Sequence, residues 1–274
     1  MTTTSLAKYY FLGILFFVGL VISQPGNAQS NDAVIAIIMD DLGDNLNRGT
    51  RCIQMPGDVT VSILPLRRYT YDLAMLAHDQ HKEIMLHMPM QPMDTRHHHM
   101  GPGGLRMNMS RQEIEHRFLE DMASVPYAVG LNNHMGSLFT SNATVMNWLM
   151  KDINRYGNLY FVDSRTYHRS VANFMAEENN LHTTSRDYFL DHVVDYKKIE
   201  FYLTKLIHRA QRHGFALAIG HPHPETLEIL EEWLPKLKDM GVRLVPVSEY
   251  IKLKDRREKL WRASLSPSLR AAKN

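Results

Sequence analysis

The sequence predicts an α/β fold in which seven or eight parallel strands, each followed by a helix, form a barrel. Short apolar runs alternate with longer segments of helical spacing, and most links between them are short. This alternation is typical of parallel α/β domains. It repeats seven or eight times between residues 32 and 251, which favours a barrel near TIM size over an open sheet. With 274 residues, 44% hydrophobic and 22% charged, the chain is long enough for such a domain.

The predicted strands are apolar runs with polar residues at their carboxyl ends. The first covers residues 35–43 and ends in Asp40, Asp41 and Gly43. An apolar run this short indicates a strand that is buried on both faces, as in a parallel sheet. Adjacent carboxylates point to opposite faces if the strand continues, and splay apart if it ends there. Further strands are predicted at 59–65, 83–90, 128–137, 159–166, 183–191, 215–222 and 242–247.

Helices are predicted between these strands from residue spacing and from the residues at their ends. Ser110 and Glu113 have the spacing of a capping box, and Gly157, Gly214 and Gly241 mark helix ends. The predicted helices cover residues 45–55, 71–80, 110–124, 142–156, 170–180, 195–213 and 224–240.

One connection, at residues 91–109, is long, and loops of this length inside a compact domain are usually functional or mobile. It contains the triplet His97-His98-His99. Consecutive residues do not easily converge on one ion, so we expect this triplet to lie outside the active site.

The two ends of the chain are expected to lie outside the barrel. Residues 1–28 have the pattern of a signal peptide, with Lys8 before an apolar run and small residues before a cut after Ala28. An uncleaved membrane anchor is the alternative, but the apolar run is short for a span. We therefore expect a periplasmic protein with no stable membrane span after cleavage. Residues 252–274 form a basic tail, predicted to be a solvated helix with a frayed end or, alternatively, to contact an anionic membrane.

Acidic residues and histidines recur where the predicted strands end. Because these ends share one face of a parallel barrel, the side chains are expected to converge. Asp oxygens and His nitrogens together are typical ligands of zinc or a similar divalent ion, which indicates metal-assisted hydrolysis. A structural reading of Asp40 and Asp41 is that they cap the following helix. The residues at these ends are Asp40, Asp41, His87, Asn133, His134, Asp163, Ser164, Arg165, Asp191 and His221.

Other chemistries lack their sequence patterns. The chain contains no G-x-S-x-G motif, no P-loop and no G-x-G-x-x-G motif. Its formal net charge is only +2, and its basic residues are not interleaved with aromatic residues as in nucleic-acid-binding proteins. We therefore predict neither nucleophilic-serine chemistry nor nucleic-acid binding.

Five ordered motifs resemble the divergent polysaccharide deacetylase family of bacteria, a distant branch of the NodB-homology polysaccharide deacetylases. They are MDDLG at 39–43, LHMPM at 86–90, GLNNHMGS at 130–137, FVDSRT at 161–166 and IGHP at 219–222. The resemblance covers about residues 34–251. It implies a distorted (β/α) barrel of about seven strands, a divalent metal that is usually zinc, and hydrolysis of N- or O-acetyl groups on an exported or cell-wall polysaccharide.

The resemblance also implies roles for individual residues. Asp40 resembles the family's catalytic base, Asp41 its metal-binding aspartate, and His221 the histidine that protonates the leaving amine. His87 lies where the main family begins a paired histidine motif, but the second histidine of that motif is absent here because residue 91 is Gln. We infer that His134, on the neighbouring strand, supplies the missing ligand. The predicted metal ligands are therefore Asp41, His87 and His134.

Residues 163–166 have several possible roles. Asp163 is predicted to orient His221 or another histidine, or to bind substrate together with Arg165; Asn133 is a further candidate substrate contact. The structural alternative for this segment is a helix cap with a local ion pair.

We predict a metal-dependent carbohydrate deacetylase that acts on a polysaccharide or amino-sugar glycan. The alternative is a non-catalytic periplasmic protein that uses the same barrel to bind glycan or a cell-envelope partner. The missing paired motif favours the alternative, whereas the retained carboxylates and strand-end histidines favour the enzyme.

Overall fold

A computed structural model of the chain describes residues 33–265. The predicted signal peptide and the last nine residues of the basic tail lie outside this range. The described strands are β1 (Ala33–Leu42), β2 (Thr60–Ile63), β3 (Ile84–Met90), β4 (Ala128–Met135), β5 (Tyr160–Asp163), β6 (His182–Ser185), β7 (Tyr188–Phe189), β8 (Phe215–Gly220) and β9 (Val242–Leu244). The described helices are α1 (Leu46–Ile53), α2 (Thr70–Asp79), α3 (Arg111–Ser124), α4 (Ala143–Tyr156), α5 (Ala172–Glu178), α6 (Tyr196–His213), α7 (Pro224–Trp233) and α8 (Val247–Leu265).

The strands form one curled sheet in which every described pairing is parallel. Their order is β6-β5-β4-β3-β2-β1-β8-β7, and β9 pairs with the start of β1. With helices between the strands, this arrangement confirms the predicted parallel (β/α) barrel of seven to eight strands.

A single segment connects the two ends of the sheet. The predicted strand at 183–191 is in fact two short strands, β6 on β5 and β7 on β8. Between them, the Arg186 N–H donates to the Asp163 carbonyl at 3.0 Å, and the Asp187 N–H donates to the Leu217 carbonyl at 2.9 Å. The segment is split because its two halves pair with opposite edges of the curled sheet.

The core has two layers because side chains alternate along β1. Val34, Ala36 and Ile38 belong to a small apolar cluster with residues of β8 and α8. Ile35 and Ile37 belong to the larger cluster that includes most helices. All of these side chains are buried, which explains why β1 is apolar without interruption up to its carboxyl end. Asp40 is the next residue in phase with the smaller cluster.

Two predicted elements end earlier than expected. The helix predicted at 224–240 stops at Trp233 and continues as two 3₁₀ turns, because Pro235 cannot continue the α-helical hydrogen bonding. The strand predicted at 242–247 ends at Leu244, and Val247 already begins α8. Tyr250 of this helix is buried in the small apolar cluster, so the first turn of α8 belongs to the core. Within residues 33–265, no helix is sufficiently long and apolar to span a membrane.

Candidate metal centre

A bulge at the end of β1 brings both adjacent carboxylates into one site. Met39 lies opposite Val61 of β2, but the next paired residues are Leu42 and Ile63, so β1 contains one extra residue. Asp41 has a φ of 59°, in the left-handed region that Asp tolerates better than most residues. The sequence left open whether Asp40 and Asp41 face opposite sides of the sheet. Because of the bulge, both carboxylates can face the same site.

Asp41, His87 and His134 form a close triangle of potential ligand atoms. Asp41 Oδ1 lies 2.9 Å from His134 Nδ1 and 3.1 Å from His87 Nε2. The two imidazole nitrogens are 3.2 Å apart. The three side chains come from β1, β3 and β4, so the parallel sheet brings together the three residues that the sequence singled out as metal ligands. Their role as ligands remains a prediction.

This donor set fits a divalent metal ion. Around a tetrahedral zinc ion with bonds of about 2.0–2.1 Å, neighbouring ligand atoms are roughly 3.3 Å apart, close to the spacing observed here. Asp41 Oδ1 is buried and receives no well-formed hydrogen bond within the described part of the chain. Although burial opposes ionisation, the facing imidazoles of His134 and His87 hold the pKa of Asp41 well below its ordinary value. Asp41 Oδ1 is thus a buried, ionised carboxylate oxygen that is suited to coordinate a cation.

Asn132 orients His87, a role that the sequence reading did not assign. The Asn132 side-chain oxygen lies 2.7 Å from His87 Nδ1 and accepts a hydrogen bond from Ser62 Oγ at 2.7 Å. Its amide nitrogen donates to both oxygens of Asp40, at 2.9 and 3.1 Å. With Nδ1 donating to Asn132, the lone pair of Nε2 faces Asp41 and is available to a metal. Asn132 lies two residues before His134 on β4, so both side chains point to the same face of the strand. This spacing is the sequence signal that could have identified Asn132 as a site residue.

Asp40 lies deeper than Asp41 and is almost completely buried. Its Oδ2 is 3.6 Å from His87 Nε2. Burial raises the pKa of this carboxyl, against the opposing effects of His87, His221 and the hydrogen bond from Asn132. Asp40 is therefore held beside the ligand triangle without belonging to it.

His221 follows β8 and is held by Asp191, not by Asp163. Asp191 Oδ1 lies 2.8 Å from His221 Nδ1, and Asp191 Oδ2 accepts the backbone N–H of His221 at 2.6 Å and the hydroxyl of Thr226 at 2.8 Å. Burial alone would lower the pKa of His221, but the hydrogen bond and the charge of Asp191 outweigh it and raise the pKa to about 9. Asp191, His221 and His223 are also close enough to share an ion, yet Asp191 already accepts three hydrogen bonds.

The structure corrects the role predicted for Asp163. Its carboxylate accepts hydrogen bonds from the backbone N–H of Arg165 and from Ser170 Oγ, both at 2.8 Å, and so stabilises the turn after β5. Asp163 therefore has a local structural role, but it is not the predicted helix cap with an ion pair, because α5 begins after Val171 and Asp163 forms no ion pair among the described residues.

The two predicted substrate contacts, Arg165 and Asn133, lie in different places. Arg165 is exposed and lines a separate cavity, away from Asp41. Asn133 does line the cavity of the candidate centre. However, its amide group already bonds the Ser164 N–H and the Met135 carbonyl, so it ties β4 to the end of β5.

A cavity of about 300 Å³ opens above the ligand triangle. One of its walls is His98, from the triplet in the loop at 91–109 that the sequence reading placed outside the active site. The expectation that the whole triplet lies outside the site is therefore wrong for His98, whereas His97 and His99 do not line this cavity. The other walls include Asp40, Asp41, His87, Asn133, His134, Ser164, Thr166, Phe189 and His221.

The fold and site thus define a class of protein: parallel (β/α) barrels that carry a candidate Asp/His metal centre at the carboxyl ends of their strands. The chain belongs to the divergent polysaccharide deacetylase family, whose sequence model matches residues 37–251. It is 35% identical over 205 residues to an uncharacterized protein of Haemophilus influenzae, a match that covers 75% of this chain and 72% of that protein.

Two solved structures share the fold. An uncharacterized protein from Agrobacterium tumefaciens superposes with a TM-score of 0.76 at 23% identity, over 80% of this chain and 89% of that one. The peptidoglycan deacetylase PdaC from Bacillus subtilis superposes with a TM-score of 0.51 at 16% identity, over 86% of this chain and 99% of that one. At these identities the similarity shows the barrel architecture and nothing finer.

Proposed function

We propose that the protein is a metal-dependent hydrolase that removes acetyl groups from an exported or cell-envelope polysaccharide. The observation that carries the proposal is the triangle of Asp41, His87 and His134, which lies in one cavity with Asp40 and His221. We further propose that zinc is the metal and that the periplasm is the compartment.

Asp41, His87 and His134 would hold the ion, with Asn132 fixing the orientation of His87. When bound, a divalent ion supplies Lewis acidity, which polarises the acetyl carbonyl and lowers the pKa of water. Three protein ligands leave a coordination position free for this chemistry.

Asp40 and His221 would move the protons. Asp40 lies 3.6 Å from the His87 imidazole and lines the cavity, so it can accept a proton from the attacking water. His221 lines the same cavity, and Asp191 favours its protonated form. Protonated His221 can donate to the departing amine or alcohol, which completes the hydrolysis of an amide or ester.

Metal analysis and acetate release test this proposal. Purified protein loaded with zinc should bind the metal and release acetate from acetylated amino-sugar oligomers, O-acetylated glycans or peptidoglycan fragments. Asp40→Asn should retain the metal and lose at least a hundredfold in turnover, because general-base catalysis contributes about 10²–10⁴-fold. Asp72→Asn, at an exposed position on α2, is the matched control and should behave as wild type.

Two outcomes would refute the proposal. Absence of bound metal after loading would reject the metal centre. Full metal occupancy with no acetate release across this panel would reject the hydrolase and leave a protein that binds glycan without cleaving it.

A further inference from the structure

A second and larger cavity, of about 1060 Å³, lies beside the barrel. Its walls come from α5, β6, the end of α6 and the exposed half of α8, and it shares no lining residue with the cavity of the candidate metal centre. The volume is at the upper end for ligand pockets and far exceeds what a single inorganic ion needs.

The walls of this cavity carry an excess of positive charge. Three carboxylates, Glu177, Asp187 and Glu258, also line it. Within the described chain the only ion pair among these lining groups joins Arg209 to Asp187 at 2.8 Å. Five of the six lining cations therefore form no ion pair with a carboxylate among the described residues. The six lining cations are Arg165, Arg186, Arg209, Arg212, Lys254 and Arg257.

Arg186 is the most buried of the lining arginines that form no ion pair among the described residues. Its guanidinium is half-buried and, among the described residues, donates only to the backbone carbonyls of Ser164, at 2.6 Å, and Arg165, at 2.9 Å. One face of it stacks on Phe189, 3.6 Å from the ring centre. Burial and the neighbouring charge of Arg165 lower the pKa of this group to about 10. The charges of Asp163, Asp40 and Asp187 oppose this shift, but none of these carboxylates forms an ion pair with Arg186 among the described contacts, so an anionic ligand would supply a direct partner.

The remaining walls are suited to a sugar. Ser185 offers a hydroxyl group, whereas Thr183 and Asn173 already bond each other, the Phe161 carbonyl and Glu177. Trp261 lies at the rim with 65% of its surface exposed. An exposed indole beside polar and cationic groups presents an apolar face with adjacent hydrogen-bond donors. Several arginines around one space are the usual recognition pattern for phosphate, which guanidinium groups bind bidentately.

We propose that this cavity is a second binding site, specific for a saccharide that carries phosphate groups. The phosphates would lie among the unpaired guanidinium groups, and the sugar ring would lie toward Trp261. The site is independent of the metal centre, so its existence does not rest on the hydrolase proposed above.

Calorimetric titration of the metal-free protein tests the proposal with three probes: N-acetylglucosamine 6-phosphate, N-acetylglucosamine and inorganic phosphate. The sugar phosphate should bind at least tenfold more tightly than either of the other two, and its affinity should fall as salt is raised. Equal binding of the neutral sugar would overturn the role of the cations. Equal binding of inorganic phosphate would overturn the specificity for a saccharide.

Substitutions in two helices locate the site. Arg212→Ala should weaken binding of the sugar phosphate about tenfold or more, because a charge-assisted contact to phosphate is lost. Arg212 is exposed on the last turn of α6 and makes no hydrogen bond or ion pair with another described residue, so this variant should fold normally. Arg257→Ala should have a similar effect, although Arg257 also packs near Phe215.

Two matched controls complete the test. Arg256→Ala removes the adjacent charge on α8, which is exposed but does not line the cavity, and should leave the affinity within twofold of wild type. His134→Ala should also leave it unchanged. If Arg256→Ala weakens binding as much as Arg212→Ala, the effect is general electrostatics and the proposed site is wrong. If His134→Ala abolishes binding, the ligand occupies the metal centre instead.

Discussion

Replacing Asp191 with Asn tests how His221 is kept protonated. Asp191 Oδ2 accepts the His221 N–H and the Thr226 hydroxyl, whereas Oδ1 faces His221 Nδ1 at 2.8 Å. Asn has a single carbonyl oxygen, which will retain the two hydrogen bonds at the Oδ2 position. The amide NH₂ then faces His221 Nδ1, which must become an acceptor. The substitution therefore removes a charge and also selects the neutral imidazole.

The structure gives the size of the effect. The pKa of His221 is raised to about 9 by Asp191, against an ordinary value of 6.5. Burial remains in the variant, so its pKa should fall to about 6.5 or below. At pH 8 the protonated fraction then drops from about nine-tenths to about 3%, roughly thirtyfold. The alkaline limb of the pH–rate profile should move down by at least two pH units.

Titration of the His221 imidazole by NMR measures this pKa without any substrate, and acetate release measures the profile. Asp163→Asn is the matched control, because Asp163 is also a buried carboxylate at a strand end but bonds Arg165 and Ser170. It should leave the pKa of His221 unchanged. An unaltered His221 pKa in Asp191→Asn, or an equal shift in Asp163→Asn, would refute the assignment.

The same shift affects stability. The folded-state pKa of His221 lies above its unfolded value, so its contribution is present in full below about pH 6.5 and is lost as the pH rises through about 9. The gap in free energy of unfolding between wild type and Asp191→Asn should therefore narrow between pH 6.5 and pH 9. A gap that widens over this range would contradict the direction of the shift.

Three further substitutions probe separate parts of the structure. His134→Ala removes one of three candidate ligands and should weaken zinc binding at least a hundredfold by calorimetry, whereas exposed His168→Ala should not. Asn132→Ala leaves Asp40 and His87 without their shared partner; zinc affinity should fall about 10–100-fold, and the free energy of unfolding in urea by about 1–3 kcal/mol. Burial raises the pKa of Asp121 to about 8, so Asp121→Asn should stabilise the fold by an amount that grows from pH 4 to pH 8; a constant difference would contradict this.

The fold was largely predictable from sequence because its signal is local and repeated. Each buried strand of a parallel barrel is an apolar run, and each helix that follows has its own spacing and end residues. The errors arose where tertiary contacts override local pattern. The sequence predicts that Val247 ends a strand. It begins α8 instead, because the first turn of this helix fills that part of the small apolar cluster. The segment 183–191 reads as one strand because its sequence does not show that its halves pair with different edges.

The residue types of the candidate site could be predicted from the sequence, but the contacts between those residues could be predicted only in part. Asp41, His87 and His134 end three neighbouring strands, and parallel register alone brings such residues together. The residues that hydrogen-bond to the site histidines depend on which strand ends are adjacent around the barrel. β8 pairs with β7, and Asp191 follows β7, so Asp191 and not Asp163 meets His221. That pairing arises from the split segment, which the sequence does not reveal.

Backbone conformation explains why the strand ends can form a site at all. Three non-glycine residues with positive φ lie at or just after β1, β4 and β5: Asp41 at 59°, Met135 at 55° and Arg165 at 47°. Left-handed backbone at such residues is unfavourable and is kept only where the surroundings impose it. At Asp41 it turns the second carboxylate toward His87 and His134, which an extended strand would not do. At Arg165 the turned N–H bonds Asp163 and closes the loop over β5. The candidate ligands therefore converge only because the backbone adopts unfavourable left-handed conformations at the strand ends. Residue type alone does not predict these conformations.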